Sequence, residues 1–228
     1  MIISPKYKFV FCHVPKTAGS SIRTALLGYG LRCATKDVTE ALPGTNNQHV
    51  TMQQLKNSNI LNANDFEEYF KFCFVRNPWS RLTSQYHYHQ GAGHQKRHFA
   101  AWNFATSFNF IDWSRVQIPK GACKQLKFIS NKNGELLVDK VYKFENLLES
   151  FNEIRSKLDL PAPTGSHDVG DTTLYRTNQS EHEHYTKYYN DEIKEMVAEY
   201  AKEEIKLFNY TFDNPIVDLG NLTEYKIK

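Results

Sequence analysis

The stretch YKFVFCHVPKTAGSS, residues 7–21, decides the fold. Its first half, Tyr7 to His13, is a short run rich in aromatic and β-branched residues, the composition of a buried strand. Pro15 and Gly19 break that pattern. Residues 20–28 (SSIRTALLG) then read as a helix capped by Ser20 or Ser21 and ending near Gly28 to Gly30. The strand–loop–helix unit recurs further along. Residues 70–75 (FKFCFV) are a second buried strand, and Asn77-Pro78 starts a helix predicted to run to about His89, with Asn as the cap and Pro in the first position.

Other elements are placed around these two. Residues 31–50 are irregular, and a helix is predicted after His49 over MQQLKN. Asn64 or Asp65 is the expected cap of a short helix through Tyr69, and residues 136–144 (LLVDKVYKF) read as a strand. Leu147, Leu148, Phe151, Ile154 and Leu158 follow helical spacing, and a loop rich in Pro and Gly spans Pro161 to Asp171. Ile193, Met196, Val197, Tyr200, Ala201, Ile205 and Phe208 mark one face of a last long helix. Residues 90–135 match no simple period. Strands alternating with helices predict an α/β fold with a central, largely parallel sheet flanked by helices, in a single domain over residues 1–228. Ligands of such folds bind beyond the carboxyl ends of the strands, where both polar junctions fall.

With 40% hydrophobic residues, the 228-residue chain has material for a sizeable core, and a net charge of +3 is too mild for a nucleic-acid protein. No stretch approaches the roughly 20 apolar residues of a membrane helix, and no secretory signal is visible. Cys12, Cys33, Cys73 and Cys123 form no CxxC pair, and Cys12 and Cys73 lie within the apolar strands as expected buried thiols. A reducing, cytoplasmic setting is expected. The sequons at Asn178, Asn209 and Asn221 are of a kind that arises often by chance.

Both junctions are suited to anions. A helix N-terminus offers N–H groups and partial positive charge; Lys16 adds a mobile cation, Thr17, Ser20 and Ser21 add hydroxyls, and Gly19 allows close backbone approach. The lysine precedes the glycine, so this is not the GxxxxGK[ST] loop of nucleoside-triphosphate enzymes. At the second junction, Arg76 ends the strand with a guanidinium that can grip a phosphate in a bidentate manner, and Ser84 lies about two turns into the helix. Arg81 is a candidate to brace the loop against a carboxylate.

HVPKTAGSS at 13–21 together with FVRNPWSRLTSQY at 74–86 resembles the membrane-type carbohydrate sulfotransferases, especially the branch of heparan sulfate 2-O-sulfotransferases and their bacterial relatives. The likeness extends loosely to VYKFENLLESF at 141–151 and to the region from RTNQSEHEHYTKYYND to FNYTF, but residues 90–135 match little. It implies a P-loop-like sulfotransferase fold and 3′-phosphoadenosine 5′-phosphosulfate (PAPS) as co-substrate. It also implies Lys16, Thr17, Ala18, Gly19, Ser20 and Ser21 around the 5′-phosphosulfate, and Arg76 and Ser84 on the 3′-phosphate. A loop at Arg176, Thr177 and Asn178 is implied to close over the nucleotide, and a sugar hydroxyl is the implied acceptor. The family places its catalytic histidine in a His-Val-Ser/Thr stretch, matched by His49-Val50-Thr51; the second histidine two residues earlier is Asn47 here.

His49 is thus the expected base and Lys16 the expected stabiliser of the leaving group. His13 is expected to pack at the strand end, with a catalytic part as the alternative. His87, His89, His94 and His98 lack metal-site spacing, and no metal is expected; with Lys96 and Arg97 they are candidates to touch an anionic acceptor. Trp102, Phe104, Phe108, Phe110 and Trp113 suit either sugar stacking or core, and Tyr188, Tyr189 and Tyr200 read as helix packing. Two other functions remain open: a P-loop-like small-molecule kinase using ATP and magnesium, and a non-catalytic nucleotide- or glycan-binding module.

Overall fold

A computed structural model describes residues 1–27, 49–160 and 182–213. They fall into two compact units, one formed by residues 1–27, 49–75 and 125–160, the other by 76–124 and 182–213.

The first unit holds a four-stranded sheet in the order β1 (Ile2–Ser4), β2 (Phe9–Cys12), β3 (Phe70–Val75), β4 (Lys140–Lys143). β2, β3 and β4 run parallel, while β1 is an antiparallel edge. Side chains alternate across a sheet, so Phe9 and Phe11 share one face with Phe72 and Phe74. That face is covered by α1 (Gly19–Leu27), through Ile22, Ala25 and Leu26, and by α8 (Leu147–Lys157), through Leu147, Phe151 and Ile154. Val10, Cys12, Cys73 and Val75, on the opposite face, are also fully buried. Burial on both faces explains why β2 and β3 read as unbroken apolar runs rather than alternating ones. The unit also contains α2 (Met52–Lys56) and α3 (Ala63–Glu68).

The second unit is helical: α4 (Pro78–Gln90), α5 (Ala92–Arg97), α6 (Phe99–Ser107), α7 (Phe110–Gln117), α9 (Asp191–Tyr200) and α10 (Lys202–Phe208). Trp113, Phe110 and Tyr86 form an aromatic centre, and the half-buried Tyr189 donates its hydroxyl to the Trp79 carbonyl at 2.8 Å. Arg81 is buried here too; it donates to the Ala122 carbonyl and faces the charge of buried Glu204. Burial pulls Arg81 down from its ordinary value and Glu204 opposes that shift.

The structure revises several boundaries. Ser20 and Ser21 do not cap α1; they lie inside its first turn, because the Ala18 carbonyl already accepts from the Ile22 N–H at 3.1 Å. The cap of α3 is Asn62, whose side chain accepts from the Asp65 N–H. β4 is shorter than predicted: pairing with β3 starts at Lys140, after the Asp139 carboxylate has taken the Lys71 N–H at 2.7 Å, while Leu136 pairs with Ser130 instead. The last helix is two, broken at Ala201. The apolar pattern carries no sign of this break, because the inward position beyond it is held by Glu204 rather than by an apolar residue. Tyr200 is exposed, not packed. The end of α1 near Gly28 to Gly30, residues 31–48 with Cys33, the Pro161–Asp171 loop, and the sequons at Asn178 and Asn221 lie outside the described residues.

Phe72 touches Phe9, Phe11, Phe70 and Tyr142 with ring centroids 5.4–6.3 Å apart, at the centre of the aromatic face. Phe72→Ala is expected to lower stability by about 3–5 kcal/mol, read as a lower denaturant midpoint at unchanged slope.

Candidate active site

Parallel pairing fixes where the polar junctions go. Cys12 on β2 pairs with Cys73 on β3, so the chain leaves both strands at the same end of the sheet. This is the carboxyl end, where open α/β sheets place ligands.

The first junction is a loop of unusual backbone. Lys16 (φ 66°) and Ala18 (φ 61°) are both left-handed, and neither is glycine. Alternation of hand along consecutive residues is the arrangement in which successive N–H groups line an anion-sized concavity. Each such non-glycine residue carries strain of about 1–3 kcal/mol, which must be held by its surroundings. The holding contacts are visible: Ala18 packs against the core, and fully buried Thr17 donates its hydroxyl to the Val14 carbonyl at 3.0 Å. The Thr17 hydroxyl proton is thus committed to shaping the loop. Ser21 is buried and Ser20 half-buried in the first turn of α1, with Lys16 half-exposed before it.

Gly19 has a steric reason that spacing does not reveal. A Cβ built there would stand 1.8 Å from His13 Cδ2 and 2.1 Å from His13 Nε2. The His13 ring therefore lies where any other side chain at position 19 would begin.

His49 sits against this same loop. Its Nδ1 is 2.9 Å from the His13 carbonyl, and the two rings meet edge-on with centroids 4.6 Å apart. A carbonyl can only accept, so Nδ1 carries the proton and Nε2 of the neutral ring carries the lone pair. The next two residues hold it in place. Val50 is buried, and Thr51 opens α2 with a capping box: its hydroxyl accepts from the Gln54 N–H, while the Gln54 side chain accepts from the Thr51 N–H at 2.9 Å. In the His-Val-Thr order Val50 is thus the anchor and Thr51 the cap that fix the backbone beside His49. His13 is held well below the usual histidine range, first by burial and then by His49, with Arg23 and Lys16 among the further positive charges.

The second junction works differently. Arg76 follows β3 directly, and its Nε donates to Ser80 Oγ at 2.9 Å. Asn77 caps α4, taking the Trp79 and Ser80 N–H groups with its side-chain oxygen and donating to the Thr211 carbonyl. Those two amides are taken by the cap, and the Arg76 guanidinium is the cationic group that stands at this junction. Ser84 is buried on the same helix face as Ser80, one turn further on. Ser80 was not singled out by sequence; the i, i+4, i+8 spacing of Arg76, Ser80 and Ser84 is the signal that points to it. Arg81, the candidate to brace the loop against a carboxylate, donates instead to the Ala122 carbonyl and faces the charge of Glu204 within the helical unit.

The remaining candidates are dispersed. His87 stacks on His182 (4.7 Å, 12°) and touches Tyr188, and His89 lies against Trp113. His98 is exposed before α6; Trp113 and Phe110 are core, and Phe108 is exposed. Among the described residues no group of three or more His, Cys, Asp and Glu could hold a metal ion. Arg176, Thr177, Asn178 and Asn47 lie outside the described residues, as do the side chains of His94 and Arg97.

A mostly parallel four-stranded sheet flanked by helices, with strand–loop–helix junctions after β2 and β3, fits a P-loop-like sulfotransferase fold. The chain belongs to this family: a family model described as "Sulfotransferase family" matches residues 1–211. No curated protein and no solved structure matches the chain. Among the described residues no helix is long and apolar enough to cross a membrane.

Buried His13 and half-buried His87 make stability depend on pH. Burial lowers His13, and burial with His182 lowers His87 to about 4. Each is therefore more protonated in the unfolded chain than in the folded one as pH falls through the ordinary value near 6.5, so stability drops on acidification. The melting temperature is expected to fall between about pH 7.5 and pH 5, and less steeply in the double variant H13F/H87F. An equal slope in that variant would place the acid sensitivity elsewhere.

Proposed function

We propose that the protein transfers the sulfuryl group of PAPS to an acceptor hydroxyl, on a carbohydrate, by in-line displacement with His49 as base. The observation that carries this is the His49 tautomer: Nδ1 donates to the His13 carbonyl, which puts the lone pair of the neutral ring on Nε2, in a ring that meets His13 edge-on at 4.6 Å. PAPS supplies an activated sulfuryl group joined to a phosphate through a bridging oxygen. In this reading His49 Nε2 takes the proton of the attacking hydroxyl as the new S–O bond forms. Lys16 and the amides from Thr17 to Ser21 hold the 5′-phosphosulfate and stabilise negative charge on the departing bridging oxygen. Arg76 and Ser84 are assigned to the 3′-phosphate, with Ser80 orienting the guanidinium, and Arg176, Thr177 and Asn178 to the nucleotide. The chain is taken to act as one sulfotransferase domain over residues 1–228, in a reducing cytoplasmic setting in keeping with its buried thiols.

The donor set suits a sulfated bisphosphate better than a magnesium nucleotide. Neither the first 36 residues nor residues 69–111 contain an aspartate or glutamate. Magnesium is ordinarily held beside phosphates by one or two carboxylates, so the sequence around both junctions favours cations and N–H groups acting alone.

Labelled sulfate transfer from PAPS across a panel of sugars and other alcohols tests the reaction. His49→Ala is expected to slow transfer by roughly 10²–10⁴ while the affinity for adenosine 3′,5′-bisphosphate stays within a few-fold. Arg76→Ala is expected to weaken that affinity by about 1.5–3 kcal/mol. Thermal stabilisation by ATP–Mg²⁺ alone, with none from the bisphosphate, would sink the proposal in favour of a kinase. Donor binding without turnover on any acceptor would favour a binding module.

A further inference from the structure

We infer that His13 is a positioning residue that ties the anion loop to the base, its carbonyl fixing the tautomer of His49 and its ring wedged between Gly19 and the His49 ring. The inference rests on the reading of His49 as base. Three contacts from one residue carry it: the 2.9 Å approach of His49 Nδ1 to the His13 carbonyl, the 4.6 Å edge-on contact of the two rings, and the ring atoms that fill the space of a side chain at position 19. His13 follows β2 directly and reaches His49 from there.

The position uses the shape of the ring. Nδ1 of His13 is buried with no hydrogen-bond partner, so this nitrogen holds nothing in place. A planar ring of similar size is expected to serve, and an alanine is not. Loss of the wedge leaves the carbonyl in place but lets the His49 ring and the first turn of α1 shift relative to each other. A misplacement of about 1 Å at a reacting group can lower rates on the order of 10²-fold.

The test compares H13A, H13F, G19A and H13A/G19A in transfer rate, in affinity for adenosine 3′,5′-bisphosphate and in melting temperature. H13A is expected to lose about ten- to a hundred-fold in kcat with bisphosphate affinity within about three-fold, and H13F to restore kcat to within about five-fold of the parent. G19A is expected to be slow in the parent background and to add little in H13A, where no ring stands in its way. If H13A does not melt cooperatively, H13L takes its place in the same cycle. A kcat for H13A near that of the parent overturns the inference, and so does an H13F as slow as H13A, which would assign the nitrogens a chemical part. The base reading fails separately, by an H49A variant that still transfers at the parental rate.

Discussion

The parallel pairing of β2 with β3 is the constraint on which the other features depend. Its register sets Cys12 opposite Cys73 and buries Phe9, Phe11, Phe72 and Phe74 on one face. A slip of one residue would turn these rings to the other face and expose the sheet to α1 and α8 with the wrong side chains. The same register makes both strands deliver their chains at one end of the sheet. Within a few residues of that end lie the left-handed turns at Lys16 and Ala18, the first turn of α1, and Arg76. The aromatic core and the placing of these junctions are thus two results of one hydrogen-bonded ladder.

The two junctions are built by different means. At α1 the backbone is strained into alternating hand. At α4 the Asn77 side chain takes two of the leading amides, and the guanidinium of Arg76 is held by Ser80. Under the proposed function this difference suits a donor with two unlike anionic ends. Converging N–H groups suit a group on which charge develops during reaction, since they need no reorganisation. A fork of charged donors suits a phosphate that only has to be gripped.

Much of this was legible in the chain itself. Unbroken apolar runs named β2 and β3, Asn77-Pro78 named the start of α4, and the order of Lys16, Thr17 and Gly19 set the first loop apart from a nucleotide triphosphate loop. What stayed hidden depended on three-dimensional neighbours. Gly19 suggested close approach of a ligand, whereas its immediate neighbour is the His13 ring. Thr17 looked like a ligand donor, but its hydroxyl faces Val14. The helices between residues 92 and 117 follow no clean period because exposed aromatics such as Phe99 and Phe108 interrupt the apolar stripe. β1 was missed because three residues are too short a run to carry a pattern.

The buried thiols of the described sheet have one more consequence. Cys12 and Cys73 face each other across β2 and β3, both are fully enclosed, and burial pushes both thiols up, Cys12 to about 12. A thiol held protonated and out of reach is chemically silent. It becomes reactive only when the ladder between the two central strands opens. These two cysteines are therefore a native clock of the sheet: the rate at which an alkylating reagent finds them reports how often the scaffold beneath the anion loop comes apart.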